Sequence, residues 1–420
     1  MKLPIDSELL CENPPSDQDC GSQAKCPPAP RRRHTVTGIF AGVGGLEEGF
    51  RRAGHESEML CEFDEAARHV LAQRFEDVAL ETDVNVLKSL PASTIVTAGF
   101  PCQDLSQVGR RRGIGGPNSG LIAKVFALLR GAPHPPEWLL LENVPFMLSL
   151  DKGRGIRWLA DELEAMGYHW AYRTIDALAF GLPQRRRRVL LLASKQHDPR
   201  PILFGDDAGA PKKAPRGDHA CGFYWTEGNT GLGWAIDAVP PLKGGSAIHI
   251  PSPPAIWFPA ERRIATPAIE DAERLQGFDA GWTDLEAYDP RAKRKRWRMV
   301  GNAVSVPMAE WIGNRLATPA SGFDESELVA LSDQTGWPSA AWGNPAGVRS
   351  RAIVSEWPVA HPRRHLAAFL AHPTQRLSDK AASGFLKRLV ASSLRYEAEF
   401  QADLEYHVAP QYDPPPRAVD

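Results

Sequence analysis

Val36-Thr37-Gly38-Ile39-Phe40-Ala41-Gly42-Val43-Gly44-Gly45-Leu46 reads as a short apolar strand, a glycine turn and the start of a helix. Glycines at such a turn let a ligand approach the backbone at a helix N-terminus. A dinucleotide fingerprint needs a further glycine at position 47, where this chain has Glu47, so a nicotinamide cofactor is disfavoured and a nucleoside-type ligand is not. A glycine loop alone is as often a plain turn. The next strand, however, ends at Glu62, where an acid can accept from ribose hydroxyls. Phe63 is then placed to flank a base and Asp83 to meet its amino group.

Outward from this unit, strand-like and helix-like stretches alternate from Thr35 to Ser194, the pattern of an α/β sheet. Strands are expected at Val36–Phe40, Glu58–Cys61, Thr94–Ala98, Trp138–Leu141 and Arg188–Ala193. Helices are expected at Leu46–Ala53, Glu65–Phe75, Gly120–Arg130 and Gly155–Met166. Residues 195–263 lose the rhythm and carry Trp225, Trp234 and Trp257, as an inserted domain would. Helical spacing returns at Ile269–Leu275 and Val306–Leu316. The expected organisation is a disordered segment 1–33, a sheet domain 34–194 closed by 264–318, an insert 195–263 and an extension 319–420. Within the extension, Trp337, Trp342 and Trp357 suggest a small separate core.

Several strand ends carry candidate chemistry. Gly99-Phe100-Pro101-Cys102-Gln103 follows a strand, and proline stiffens the turn that presents the thiol. Cys102 reads equally as a nucleophile or as a buried inert cysteine. Glu142-Asn143-Val144 ends another strand, where Glu142 either holds a proton in a ligand site or caps the next helix. In Gln184-Arg185-Arg186-Arg187-Arg188 alternate residues share a face, so Arg186 and Arg188 can reach one pocket, while Arg185 and Arg187 read as solvated. Glu273-Arg274-Leu275-Gln276-Gly277-Phe278 reads as a helix with a glycine cap and a structural task. Asn302, in Gly301-Asn302-Ala303-Val304, is either a cap or a cofactor ligand.

The net charge of −2 gives no global attraction to nucleic acid. Four basic runs, Arg31–Arg33, Arg110–Arg112, Arg185–Arg188 and Lys293–Arg298, suggest a phosphate-lined groove instead. No apolar run approaches the roughly 18 residues a membrane helix needs. Six cysteines in 420 residues do not make a disulfide framework, which fits a reducing, cytoplasmic compartment. Cys11, Cys20 and Cys26 lack metal-ligand spacing, and no metal is expected.

Taken in order, Phe-Ala-Gly-Val-Gly-Gly at 40–45, Gly-Phe-Pro-Cys-Gln at 99–103, Glu-Asn-Val at 142–144, Gln-Arg-Arg-Arg-Arg at 184–188, Arg-Leu-Gln-Gly-Phe at 274–278 and Gly-Asn-Ala-Val at 301–304 resemble the DNA cytosine-5 methyltransferase family over residues 35–316. The resemblance implies a Rossmann-like, seven-stranded methyltransferase sheet with a small target-recognition insert, and S-adenosyl-L-methionine as cofactor. It implies Cys102 as nucleophile, Glu142 as acid, and Arg186 and Arg188 at a cytosine flipped from double-stranded DNA. Phe40, Gly42, Gly44, Gly45, Leu46, Glu62, Phe63, Asp83 and Asn302 would line the cofactor site. Gln103, Ser106, Arg110, Arg111 and Arg112 would meet DNA. A monomer is expected, sharing its site with a restriction endonuclease without forming a complex. A tRNA cytosine-5 methyltransferase and a non-catalytic DNA-binding regulator are the rival readings. The chain departs from the family at Gly38 and Thr94, where acids are usual, and in the longer interval from Thr266 to Arg274.

Overall fold

Strands β1 (Thr35–Ile39), β2 (Glu56–Cys61), β3 (Ala79–Glu81), β4 (Ile95–Gly99) and β5 (Trp138–Asn143) lie parallel in the order β5-β4-β1-β2-β3. The computed structural model describes residues 31–101, 120–212, 215–229, 231–244, 251–285, 293–318, 323, 325–331 and 336–409. Strands β6 (His169–Asp176) and β7 (Arg187–Ser194) complete the expected seven, with β7 antiparallel to both β5 and β6.

The central strands are apolar on both faces, and the period of two shows in their packing. Leu139 and Leu141 of β5, with Val189 and Leu191 of β7, face one core. That core is covered by helices α3 (Leu121–Gly131) and α4 (Arg154–Ala165). Trp138, Leu140, Leu190 and Leu192 face the other. Helices α1 (Gly45–Arg52) and α7 (Val306–Ala317) cover it, while α2 (Glu65–Arg74) packs separately against the glycine loop. Gly44 caps α1 in the left-handed region at φ 83°, which favours glycine there.

The sheet does not stop at seven strands. Strands β12 (Leu328–Ala330), β13 (Ala340–Gly343) and β14 (Arg349–Ala352) extend it past β6, giving ten in the order β12-β14-β13-β6-β7-β5-β4-β1-β2-β3 among the described residues. Covering β6 removes an exposed edge. Arg173 of β6 is fully buried and donates to the carbonyls of Ser355, Leu203 and Asp206. Trp342 and Trp357 pack into the core under α7, and Trp337 packs on the opposite face. These tryptophans therefore join the main core and not a separate small one.

Among the described residues a second sheet has five strands in the order β15-β11-β10-β8-β9, from β8 (Cys221–Phe223), β9 (Ala235–Ile236), β10 (Ala255–Phe258), β11 (Arg263–Thr266) and β15 (Gln375–Arg376). The segment 195–263 therefore does not make this sheet alone. Helices α8 (Asp379–Val390) and α9 (Ala398–Val408) supply Phe385, Leu389, Phe400 and Leu404 to a core shared with Phe223, Trp257 and Ile264. Trp257 donates from Nε1 to Asp403 at 2.9 Å, and Trp234 packs edge-on to Phe400. The described residues of the expected extension 319–420 thus divide between the two sheets. No helix among the described residues is long and apolar enough to cross a membrane.

Candidate active site

Parallel strands place their carboxyl ends on one edge, and ligands bind where the strand order reverses, here between β1 and β4. A cavity of about 820 Å³ opens at that point. Phe40, Gly42, Glu62, Phe63 and Asp83 line one part, and Gly99, Phe100, Pro101, Glu142, Asn143 and Arg188 another. The wall also includes Arg298, Gly301 and Asn302 from the end of helix α6 (Lys293–Asn302).

In the nucleoside part, Glu62 accepts from Gly42 N at 2.8 Å and from Asp64 N at 2.7 Å. These bonds tie the acid to the glycine turn, and burial pushes its carboxyl up while they pull it down. Phe63 is 78% exposed beside it, an aromatic side chain largely open to the cavity mouth. Asp83 accepts from the backbone of Asn85 at 2.9 Å. Gly44, Gly45 and Leu46 do not line the cavity. Gly44 lies against Phe75, Gly45 against the Val304 carbonyl, and Leu46 is buried in the core beneath.

At the other part, Glu142 and Arg188 form an ion pair, with Arg188 Nε to Oε1 at 2.8 Å. They are only 8% and 9% exposed. Burial pushes the Glu142 carboxyl above its usual range, and Arg188 and Arg186 draw it back down. The pair sets a guanidinium donor beside a carboxyl whose affinity for a proton burial raises and the arginines lower, in a weakly screened site. Asn143 donates from Nδ2 to the Phe100 carbonyl at 2.9 Å, fixing the turn that leads to Pro101. Sequence reasoning gave Asn143 no task, and nothing short of its partner would reveal one. Cys102, Gln103, Ser106 and Arg110–Arg112 lie outside the described residues.

Arg186 departs from the expected placement. It precedes β7, so strand alternation does not aim it with Arg188. Its buried guanidinium donates to the carbonyls of Leu242 at 3.1 Å, Gly301 at 3.2 Å and Ala303 at 2.6 Å. Gln184 acts beside it, donating to the Leu275 carbonyl at 2.7 Å and accepting from Leu242 N at 3.0 Å. Gln276, at the end of helix α5 (Ile269–Leu275), donates to the Val300 carbonyl and accepts from Ser305 Oγ. The motifs at 184–188, 274–278 and 301–304 therefore lock together behind the cavity.

The described basic runs are mostly paired within the chain: Arg32 with Glu137, Arg33 with Glu56, Arg187 with Glu356, Arg296 with Glu273 and Arg298 with Asp64. His219, Asp237 and His365 converge with ligand atoms within 4.8 Å of one another. Asp237 is already engaged there by Leu366 N at 2.7 Å, His365 and Arg363, so the group clasps 363–366 onto the small sheet.

The family model for C-5 cytosine-specific DNA methylase matches residues 34–215. Type II methyltransferase M2.BsuMI of Bacillus subtilis (strain 168) is 45% identical over 382 residues, 88% of this chain and 97% of that protein. Type II methyltransferase M.BsuFI of Bacillus subtilis is 31% identical over 307 residues, 67% of this chain and 72% of that protein. The S. pombe Dnmt2 methyltransferase structure has a TM-score of 0.52 at 16% identity, covering 68% of this chain and 99% of that chain, a likeness of fold alone. With strand-end chemistry of this kind and a 45% identical relative matched nearly end to end, the chain belongs to the C-5 cytosine-specific DNA methylases.

Proposed function

We propose that this DNA cytosine-5 methyltransferase modifies a short specific site in double-stranded DNA through a covalent Cys102 adduct, with S-adenosyl-L-methionine as methyl donor. The observation that carries the reading is the Glu142–Arg188 pair, set in one cavity with the Phe100-Pro101 turn that directly precedes Cys102. The cavity wall fits a sulfonium cofactor. Its lining carboxylates, Glu62, Asp64, Asp83 and Glu142, outnumber its arginines, Arg188 and Arg298. Phe63 offers a stacking face, and Glu62 keeps lone pairs for ribose hydroxyls. When bound, the cofactor supplies an electrophilic methyl group.

Carbon 5 of cytosine is a weak nucleophile. Addition of the Cys102 thiolate to carbon 6 makes carbon 5 enamine-like, able to take the methyl group. Loss of the carbon-5 proton and departure of the thiolate then restore the ring. A free thiol is only a few per cent ionised at neutral pH, so the protein must favour the thiolate. Glu142, its hold on a proton strengthened by burial, donates to ring nitrogen 3 and stabilises the charge that addition creates. Arg188 orients Glu142 and meets the carbonyl oxygen. The base must leave the stack, at a cost of a few kcal/mol. The name Type II methyltransferase carried by the relatives supports a restriction endonuclease sharing the site. We further propose that the protein acts in the cytoplasm as a monomer, outside any complex with that endonuclease.

The test supplies labelled S-adenosyl-L-methionine with duplex DNA or with tRNA. Transfer to DNA alone is expected, lost in Cys102→Ala. In Glu142→Gln, turnover falls far more than cofactor affinity. Undiminished turnover in Cys102→Ala ends the covalent reading, and transfer to tRNA alone ends the DNA reading.

A further inference from the structure

Arg388, near the end of α8, donates from Nε to the Glu227 carbonyl and from Nη2 to the Trp225 carbonyl, each at 2.8 Å. These carbonyls belong to a tight excursion from the small sheet. Tyr224 N closes it onto the Leu232 carbonyl at 2.8 Å, and Gly228 N donates to Gly231 at 3.3 Å. Thr226 and Asn229 are exposed on it, short polar side chains of the kind that read base edges.

The excursion connects onward to the active-site cavity. The Glu227 carboxylate pairs with Lys243, whose ammonium lies 3.7 Å from the Tyr224 ring centroid. Lys243 and Gly244 rest on the end of α6. A Cβ on Gly301 would lie 2.2 Å from the Lys243 carbonyl carbon, and one on Gly244 would lie 2.4 Å from Asn302 Oδ1. Asn302 lines the cavity. Packed contacts therefore run from a C-terminal helix, through the excursion, to the cavity wall.

We infer that Arg388 is a positioning residue for sequence selection, holding the 225–229 turn and the Glu227–Lys243 pair in the arrangement that reads bases flanking the reacting cytosine. This rests on the proposed methylation of duplex DNA. Two carbonyls two residues apart need two donors at fixed separation, which a guanidinium fork supplies and a lysine does not. The helix does not depend on this contact for its place, since Ala382, Phe385 and Leu389 anchor it in the core.

The test uses the full-length protein, S-adenosyl-L-methionine and a pool of random duplexes, with methylated cytosines mapped by bisulfite sequencing. Arg388→Ala is expected to lower the ratio of preferred to other sites about 10-fold, the worth of one good base contact, while the KM for the methyl donor stays unchanged. Arg388→Lys recovers part of the ratio. Glu227→Gln, which leaves the helix packing untouched, shifts it the same way. An unchanged ratio in a folded Arg388→Ala overturns the inference, as does a uniform loss of turnover at all sites. Should Arg388→Ala fail to fold, an unchanged ratio in Glu227→Gln overturns it. A wild-type protein that methylates no duplex overturns the functional reading, and this inference with it.

Discussion

Glu47 shows how one buried group can set a pH dependence. It sits on α1 with 1% exposure, accepts from Thr97 Oγ1 at 3.0 Å, and leaves Oε2 without a partner. Its carboxylate fills the space beside Gly38, where a Cβ would lie 2.3 Å from Oε1. Burial pushes its pKa from 4.5 to about 7 against the pull of Thr97. An acid with a raised folded-state pKa contributes fully below the unfolded value and loses that contribution as pH rises through the folded one. Stability should therefore fall between about pH 4.5 and 7. In Glu47→Gln that loss disappears, so the variant should gain on wild type by about 3 kcal/mol between acid and neutral pH. Urea midpoints measured across that range check it, and a constant difference refutes it. The sequence marks Gly38 as a missing acid and Glu47 as a missing glycine, but not that the two meet in space. Glu62, Phe63 and Glu142 were easier to place, because each stands at or just past the carboxyl end of a parallel strand.

Among the elements, those with a clear period were legible. Strands β1, β4, β5 and β7 alternate over two apolar faces, and the expected spans lie within a residue or two of those observed. Strand β6 is not legible because its buried residues include two charged ones: Arg173, whose partners Ser355, Leu203 and Asp206 come from distant segments, and Asp176, which accepts from Leu178 N and Arg186 N. The small sheet was hidden for another reason. Its strands β9 and β15 have two residues each, too short for any period, and its core is completed by helices some 120 residues beyond β10. Phe400 is the centre of that completion, fully buried with ring centroids 5.0 Å from Phe223, 5.0 Å from Trp234 and 5.3 Å from Trp257. Phe400→Ala should cost about 3–5 kcal/mol. The loss should fall on the small sheet, seen as an early transition in tryptophan fluorescence, while methyl-donor binding at the large sheet persists. Equal loss of cofactor affinity would show that the two sheets do not respond separately.

At the scale of the molecule, the two sheets share one compact unit, Arg32–Asp420, and Arg186 stands where their supports cross. It reaches Leu242, on the chain leaving the small sheet, and Gly301 and Ala303, on the turn that ends at the cavity wall. Clustered arginines suggested substrate contacts, because a sequence shows charge and spacing but not which carbonyls lack donors. The observed partners imply different behaviour for Arg186 and Arg188. Removing Arg186 strands three buried carbonyls and should cost about 3 kcal/mol or more, lowering the unfolding midpoint even without DNA or cofactor. Removing Arg188 leaves Glu142 without its ion-pair partner at the cavity, so its main effect should be on turnover. The two alanine variants, compared by denaturant unfolding and by methyl transfer at a temperature where both are folded, separate these roles. If Arg186→Ala unfolds at the wild-type midpoint yet transfers no methyl groups, Arg186 acts on the substrate and the carbonyl clamp is incidental.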